Sequence, residues 1–351
     1  MNPLRMNVPV IAARILSHHL PSALAFWVLV AAGAASAQAP VVDPPIGSQV
    51  PAAFDPLPDR LVQLRDATVL ADVTYRTVDG FRPLRLDLYR PRYSTGLRPL
   101  VVFVHGGGWT IGQKRGTGDF LDFPGVLAAL ARQGFVVASI EYRLSGEAPF
   151  PAAVEDLEAS ISFLRSNAAH YGIDPTRVAL WGSSAGSQLA ALVALRCDSH
   201  PKVKVPAACV QALVGWYGPY DLEQLLGQQQ PAPASNPDPA AQRELEGGLS
   251  FLQCTAAGCP PGRLREASPI QQVSSQDPPV LLLHGSADRL VPASQSKQMA
   301  SRLRAAGVPV ELVLLPGVDH GFRGASIAAT KTASTQALAV TFAFLRQTLG
   351  R

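Results

Sequence analysis

Charge is scarce in this chain: only 16% of its 351 residues are Asp, Glu, Lys or Arg, and the formal net charge is +4. Arg5 and Arg14 stand in a leader, residues 1–37, that holds no acid, so without it the net charge falls from +4 to +2. So small an excess excludes the basic footprint of a nucleic-acid binder. Cysteine is sparse as well. The four residues Cys197, Cys209, Cys254 and Cys259 lack the spacing of a zinc or other metal-ligand set. No segment repeats, which excludes solenoids and propellers. The apolar stretch Ala23–Ala32 is too short to be a comfortable membrane span. What remains is 47% hydrophobic, an ordinary globular composition with enough apolar mass for one large core.

The leader has the layout of a secretory signal peptide: Arg5 and Arg14, then the apolar stretch, then the small residues Ala35-Ser36-Ala37 before Gln38. An uncleaved membrane anchor is the alternative. No cysteine flanks the cleavage site, as a bacterial lipoprotein would need. The expected location of the mature chain is therefore secreted or periplasmic, with no membrane attachment after cleavage. In an oxidising compartment four cysteines suggest disulfides. Three pairings are possible. Cys197–Cys209 with Cys254–Cys259 fits best, since each pair brackets a short loop.

Residues 38–59 are proline-rich and read as an extended arm or linker. From 60 to 351 strands and helices alternate. Val69–Tyr75 and Leu84–Arg90 read as two strands joined through Asp79-Gly80. Val101–Val104, Gly134–Tyr142, Arg177–Trp181, Ala208–Trp216, Pro279–His284 and Val310–Leu315 follow as strands. Helices are expected over Ala152–Tyr171, Gln188–Leu195, Ser294–Ala306 and Ser334–Leu349. Such alternation gives an α/β fold with a mostly parallel central sheet and helices on both faces. Residues 222–269 break the rhythm with a polar, proline-rich run. They read either as a lid-like insertion over the site or as a decorative loop.

Gly182-Ser183-Ser184-Ala185-Gly186 reads G-x-S-x-G and falls between a strand and a helix. There the motif is a nucleophile elbow, a turn so tight that its flanks must be glycine. The strand Val101–Val104 runs into His105-Gly106-Gly107-Gly108-Trp109, a loop whose N–H groups can converge on an oxyanion. Gly107 and Gly108, with Ala185 after the nucleophile, are the expected donors. The glycine spacing from Gly107 to Gly112 also suits a phosphate loop, but Gln113 stands where that loop needs lysine.

The seven histidines sort by place. His18 and His19 lie in the leader, His105 and His284 close apolar strands, His170 falls in a helix and His200 in a surface loop. His320 alone follows the last strand on a glycine-bounded loop, so it is the expected base. Asp288, just past the strand Pro279–His284, is the expected acid. Asp221 after Trp216-Tyr217 is its main rival, ahead of Asp319 and Glu141. The chain order Ser184, Asp288, His320 suits a serine hydrolase.

Together these stretches resemble the α/β-hydrolase esterases, in particular the hormone-sensitive-lipase-like and feruloyl/acetyl-xylan-esterase-like (BD-FAE-like) branch. The likeness runs from about Val73 to the C-terminus. Further markers are Glu141-Tyr142-Arg143-Leu144, Phe150-Pro151-Ala152-Ala153, Tyr171-Gly172-Ile173-Asp174-Pro175 and His284-Gly285-Ser286-Ala287-Asp288. One departure is Ser187-Gln188, where many relatives read glycine-histidine. The resemblance implies a carboxylesterase that works through an acyl-serine without cofactor or metal. Trp109 is expected to line the substrate pocket. Substrates would be small esters, short-chain or aromatic, including acyl groups on plant polysaccharide. The same fold also hosts amidases, formamidases and peptidases, and occasionally non-catalytic binding proteins.

Overall fold

A computed structural model describes residues 60–64, 67–93, 95–196, 209–228, 239–255 and 258–350. The leader, the proline-rich arm, His200 and Cys197 lie outside the described residues. Nine strands form one sheet among them, ordered β1-β2-β3-β5-β4-β6-β7-β8-β9. β1 (Arg60–Leu64), β2 (Ala67–Arg76) and β3 (Leu84–Pro91) make an antiparallel edge that joins β5 (Val136–Ile140). From β5 the sheet is parallel through β4 (Arg98–Val104), β6 (Ile173–Ser183), β7 (Ala212–Trp216), β8 (Val280–Gly285) and β9 (Val310–Leu315). This is the α/β-hydrolase architecture expected above.

Strands buried on both faces need apolar side chains at successive positions, which is why Leu100–Val104 reads as an unbroken run. Alternate residues feed two cores. Val102 and Val104 pack with α2 (Ala152–Ser166), α4 (Ala185–Ala194) and α8 (Ser294–Ala305). Val101 and Phe103 pack with α1 (Phe123–Ala131) and α9 (Ile327–Leu349). The second core centres on aromatics: Phe103 meets Phe123 at 4.5 Å, and Trp181 meets Trp216 at 4.8 Å. The helix expected over Ala152–Tyr171 is two: Asn167 breaks it, donating from its side chain to Phe163 O, and α3 (Ala168–Tyr171) ends at Gly172 in the left-handed region.

Because β4, β6, β7, β8 and β9 run parallel, their C-terminal ends share one edge of the sheet. The loops leaving that edge begin at His105, Ser184, Tyr217, Ser286 and Pro316. The insertion after β7 folds as α5 (Leu222–Gln228), α6 (Pro239–Leu252) and α7 (Arg263–Glu266). Cys254 and Cys259 are joined just beyond α6, and Cys209 is disulfide-bonded too.

Candidate active site

Ser184 stands between the last residue of β6 and the first of α4, with φ 52° and ψ −126°. For a residue with a side chain this conformation costs roughly 1–3 kcal/mol, and its surroundings must impose it. They do so by close approach. A Cβ on Gly182 would lie 2.3 Å from Gly186 O, and one on Gly186 would lie 2.2 Å from Val104 O. The Ser184 N–H donates to Trp216 O at 2.9 Å, fastening the turn to β7. The hydroxyl is thereby held above the sheet edge.

His320 opens a single 3₁₀ turn, His320–Phe322, beyond β9. Its Nε2 lies 3.0 Å from Ser184 Oγ and its Nδ1 lies 2.8 Å from Asp288 Oδ2. Asp288 is buried, and its Oδ1 accepts the N–H groups of Leu290 and Val291 at 3.0 and 2.9 Å. Burial opposes the charge on Asp288, but hydrogen bonds from His284 and His320 outweigh it and hold the carboxyl well below the usual carboxylate range. The carboxylate is therefore ionised at neutral pH and fixes the ring so that Nδ1 carries a proton and Nε2 faces the serine.

The rival acids have other partners. Asp221 Oδ1 accepts Gln224 N at 3.0 Å at the start of α5. Asp319 accepts His320 N at 2.8 Å and Arg289 Nε at 2.7 Å, so it fastens the loop. Glu141 pairs with Lys114 at 2.6 Å and Arg82 at 2.8 Å.

Gly107, Gly108 and Ser184 line a cavity of about 660 Å³ with His320 and Tyr217. Among the described residues, no backbone hydrogen bond leads from the N–H of Gly107, Gly108 or Ala185 to a protein carbonyl. Among the described residues these three N–H groups are thus unspent, as donors to an oxyanion must be. Beneath the loop His105 stacks on Tyr142, whose hydroxyl donates to His105 O at 3.0 Å.

Trp109 departs from expectation. It is 1% exposed and does not line the cavity. Its φ of 59° turns the side chain into the core, where it stacks on Phe251 at 5.0 Å and donates from Nε1 to Gln188 Oε1 at 3.1 Å. Gln188, half of the Ser187-Gln188 departure, also donates to Ala267 O at 2.7 Å. It therefore ties the 105–109 loop to the insertion. Sequence reasoning missed Tyr217, whose ring packs edge-on against His320 at 4.7 Å. Its place right after a strand at the site edge was the available signal. Also missed were Glu246 and Ser250, which bring α6 to the cavity wall.

The BD-FAE family model matches residues 86–303. Esterase LipQ of Mycobacterium tuberculosis is 34% identical over 264 residues, 74% of this chain and 58% of its own length. The isoprenylcysteine alpha-carbonyl methylesterase ICME of Arabidopsis thaliana is 32% identical over 245 residues, 67% of this chain and 53% of its own. The chain thus spans little more than half the length of these relatives. A solved truncated carbohydrate esterase from gut microbiota superposes with a TM-score of 0.64 at 24% identity, covering 84% of this chain and 99% of that one. It bears on the fold alone.

Proposed function

The chain belongs to the BD-FAE family, and from that premise we propose that it is an exported serine carboxylesterase that cleaves short-chain or aromatic esters through an acyl-serine. One observation carries the reading: the unbroken relay from Ser184 Oγ through His320 to Asp288 Oδ2, at 3.0 and 2.8 Å. His320 Nε2 takes the hydroxyl proton as Ser184 attacks the carbonyl carbon. Asp288 stabilises the imidazolium that forms. The N–H groups of Gly107, Gly108 and Ala185 receive the oxyanion. His320 then protonates the leaving alcohol, and in the second half it activates water to release the acid.

The cavity of about 660 Å³ suits a small ester. Glu246 and Ser250 at its wall support a hydroxyl-rich alcohol portion, as in an acylated plant polysaccharide. The insertion carrying α6 serves as the cover of the site. The Cys254–Cys259 disulfide supports export to an oxidising compartment, secreted or periplasmic. Cell fractionation tests that part, and retention of the chain in the cytoplasm would contradict it.

Initial rates on p-nitrophenyl acetate, butyrate and octanoate and on methyl ferulate, with Ser184→Ala as the blank, test the chemistry. Turnover of the short esters or the ferulate, lost in the blank by several orders of magnitude, is expected. Turnover retained in the blank would sink the serine mechanism, and cleavage of amides alone would replace the ester reading.

A further inference from the structure

His284 is the penultimate residue of β8 and is wholly buried, out of reach of any substrate. Its ring nevertheless meets the catalytic relay from behind. Nε2 lies 2.8 Å from Val291 O and 3.2 Å from Asp288 Oδ2, and Nδ1 lies 2.7 Å from Ser296 Oγ. A carbonyl oxygen only accepts, so Nε2 carries the proton and shares it between Val291 O and the carboxylate. In the neutral ring Nδ1 then accepts from the Ser296 hydroxyl. Asp288 Oδ2 is the same oxygen that His320 Nδ1 holds at 2.8 Å. One carboxylate oxygen therefore serves two imidazoles, one facing the serine and one facing the core.

The geometry points to His284 as a positioning residue that aims and tempers Asp288; this inference rests on the serine-hydrolase reading above. Two backbone N–H groups hold Oδ1, and His284 fixes the rotation of Oδ2 toward His320. The hydrogen bond it donates also draws electron density from Oδ2. It sets how strongly the carboxylate stabilises the His320 imidazolium, hence how basic His320 is. Among the described residues, titratable groups near the pair include Asp319 and Arg289, paired to each other at 2.6 Å, Arg323 and Asp119, paired at 2.8 Å, and Tyr217 against the His320 ring. Tyr220 lies beyond Ser296 and meets Ser187 Oγ at 2.8 Å.

The test uses the full chain with His284→Met, which removes the donor, and His284→Gln, whose amide can restore one. Ser296→Ala is a milder variant that keeps the ring and weakens it as a donor. Rates of p-nitrophenyl butyrate hydrolysis are normalised to active sites titrated with a fluorophosphonate. In His284→Met, kcat should fall on the order of ten- to a hundredfold with KM nearly unchanged, the scale on which groups that orient a functional imidazole act. Without the donor, Asp288 is more basic and raises the His320 pKa, so the acid limb of the kcat/KM profile moves to higher pH. Ser296→Ala should move it the same way by less, and His284→Gln should recover most of the loss. A normal pH limb and normal kcat per titrated site in Ser296→Ala, and in His284→Met where it folds, with only thermal stability lowered, would overturn the inference while leaving the esterase reading intact. A parent protein that neither labels nor turns over would overturn both.

Discussion

At the residue scale, the site separates groups that react from groups that hold them. Asp288→Asn keeps the shape of the side chain but offers His320 the wrong partner, so kcat should drop by about four orders of magnitude, as for the same change in a serine-protease triad. A loss under tenfold at neutral pH would assign the acid elsewhere. His105 makes a different prediction. Burial pushes its pKa down to about 4. With the folded value below the unfolded value of about 6.5, the unfolded chain binds the extra proton. Stability from this group is complete above pH 6.5 and is lost as pH falls toward 4, by on the order of 3 kcal/mol. Urea melts of the parent and of His105→Phe at pH 7 and pH 4.5 check this. The variant should lose less stability across the window, and equal losses would contradict it. Ser184, His320 and the two motif glycines were legible because tight turns and proton transfer restrict which residue types can serve. The inward turn of Trp109 was not, since it depends on a positive φ and on Phe251 and Gln188, remote in sequence.

At the element scale, α6 stands against the 105–109 loop. A Cβ on Gly247 would lie 2.5 Å from Gly108 O, whereas one on Gly248 would make only ordinary contacts, with the Trp109 ring at 3.5 Å and Leu226 at 3.7 Å. Gly247→Ala must therefore displace the helix or the loop. It should lower kcat/KM by up to on the order of a hundredfold, the cost of misplacing catalytic groups by about an ångström. Gly248→Ala, the control, should keep activity. Equal activities for the two would show that the 105–109 loop does not depend on α6. The buried parallel strands were legible as apolar runs. α1 was not: its start is set by Asp122 accepting Gly125 N at 2.8 Å, a local cap without a long periodic stripe. The last helix was expected from Ser334 but begins at Ile327. Ser326 caps it through Ala329 N, and its exposed first turns carry no apolar pattern.

At the scale of the whole molecule, the sheet gathers the C-terminal ends of its six parallel strands on one edge, and buried ion pairs brace the segments behind it. Asp156 is fully buried in α2 and accepts from Arg143 Nε at 2.9 Å and Arg76 at 2.7 Å, linking α2, β2 and the chain after β5. Asp156→Ala leaves Arg143 buried without its main partner and should destabilise the fold by about 3–5 kcal/mol in urea melts. An unchanged midpoint would mean that water replaces the carboxylate freely. The marker Glu141-Tyr142-Arg143 was recognisable from its sequence, but its role as a brace required Lys114, His105 and Asp156 to be seen beside it. The measurement that bears most directly on the function is intact-mass spectrometry of the purified chain after brief exposure to a fluorophosphonate, with peptide mapping. One adduct per chain on Ser184, absent in Ser184→Ala and formed far more slowly in Asp288→Asn, is the expected result. An unlabelled parent, or an adduct that persists in Ser184→Ala, would contradict a serine nucleophile driven by His320 and Asp288.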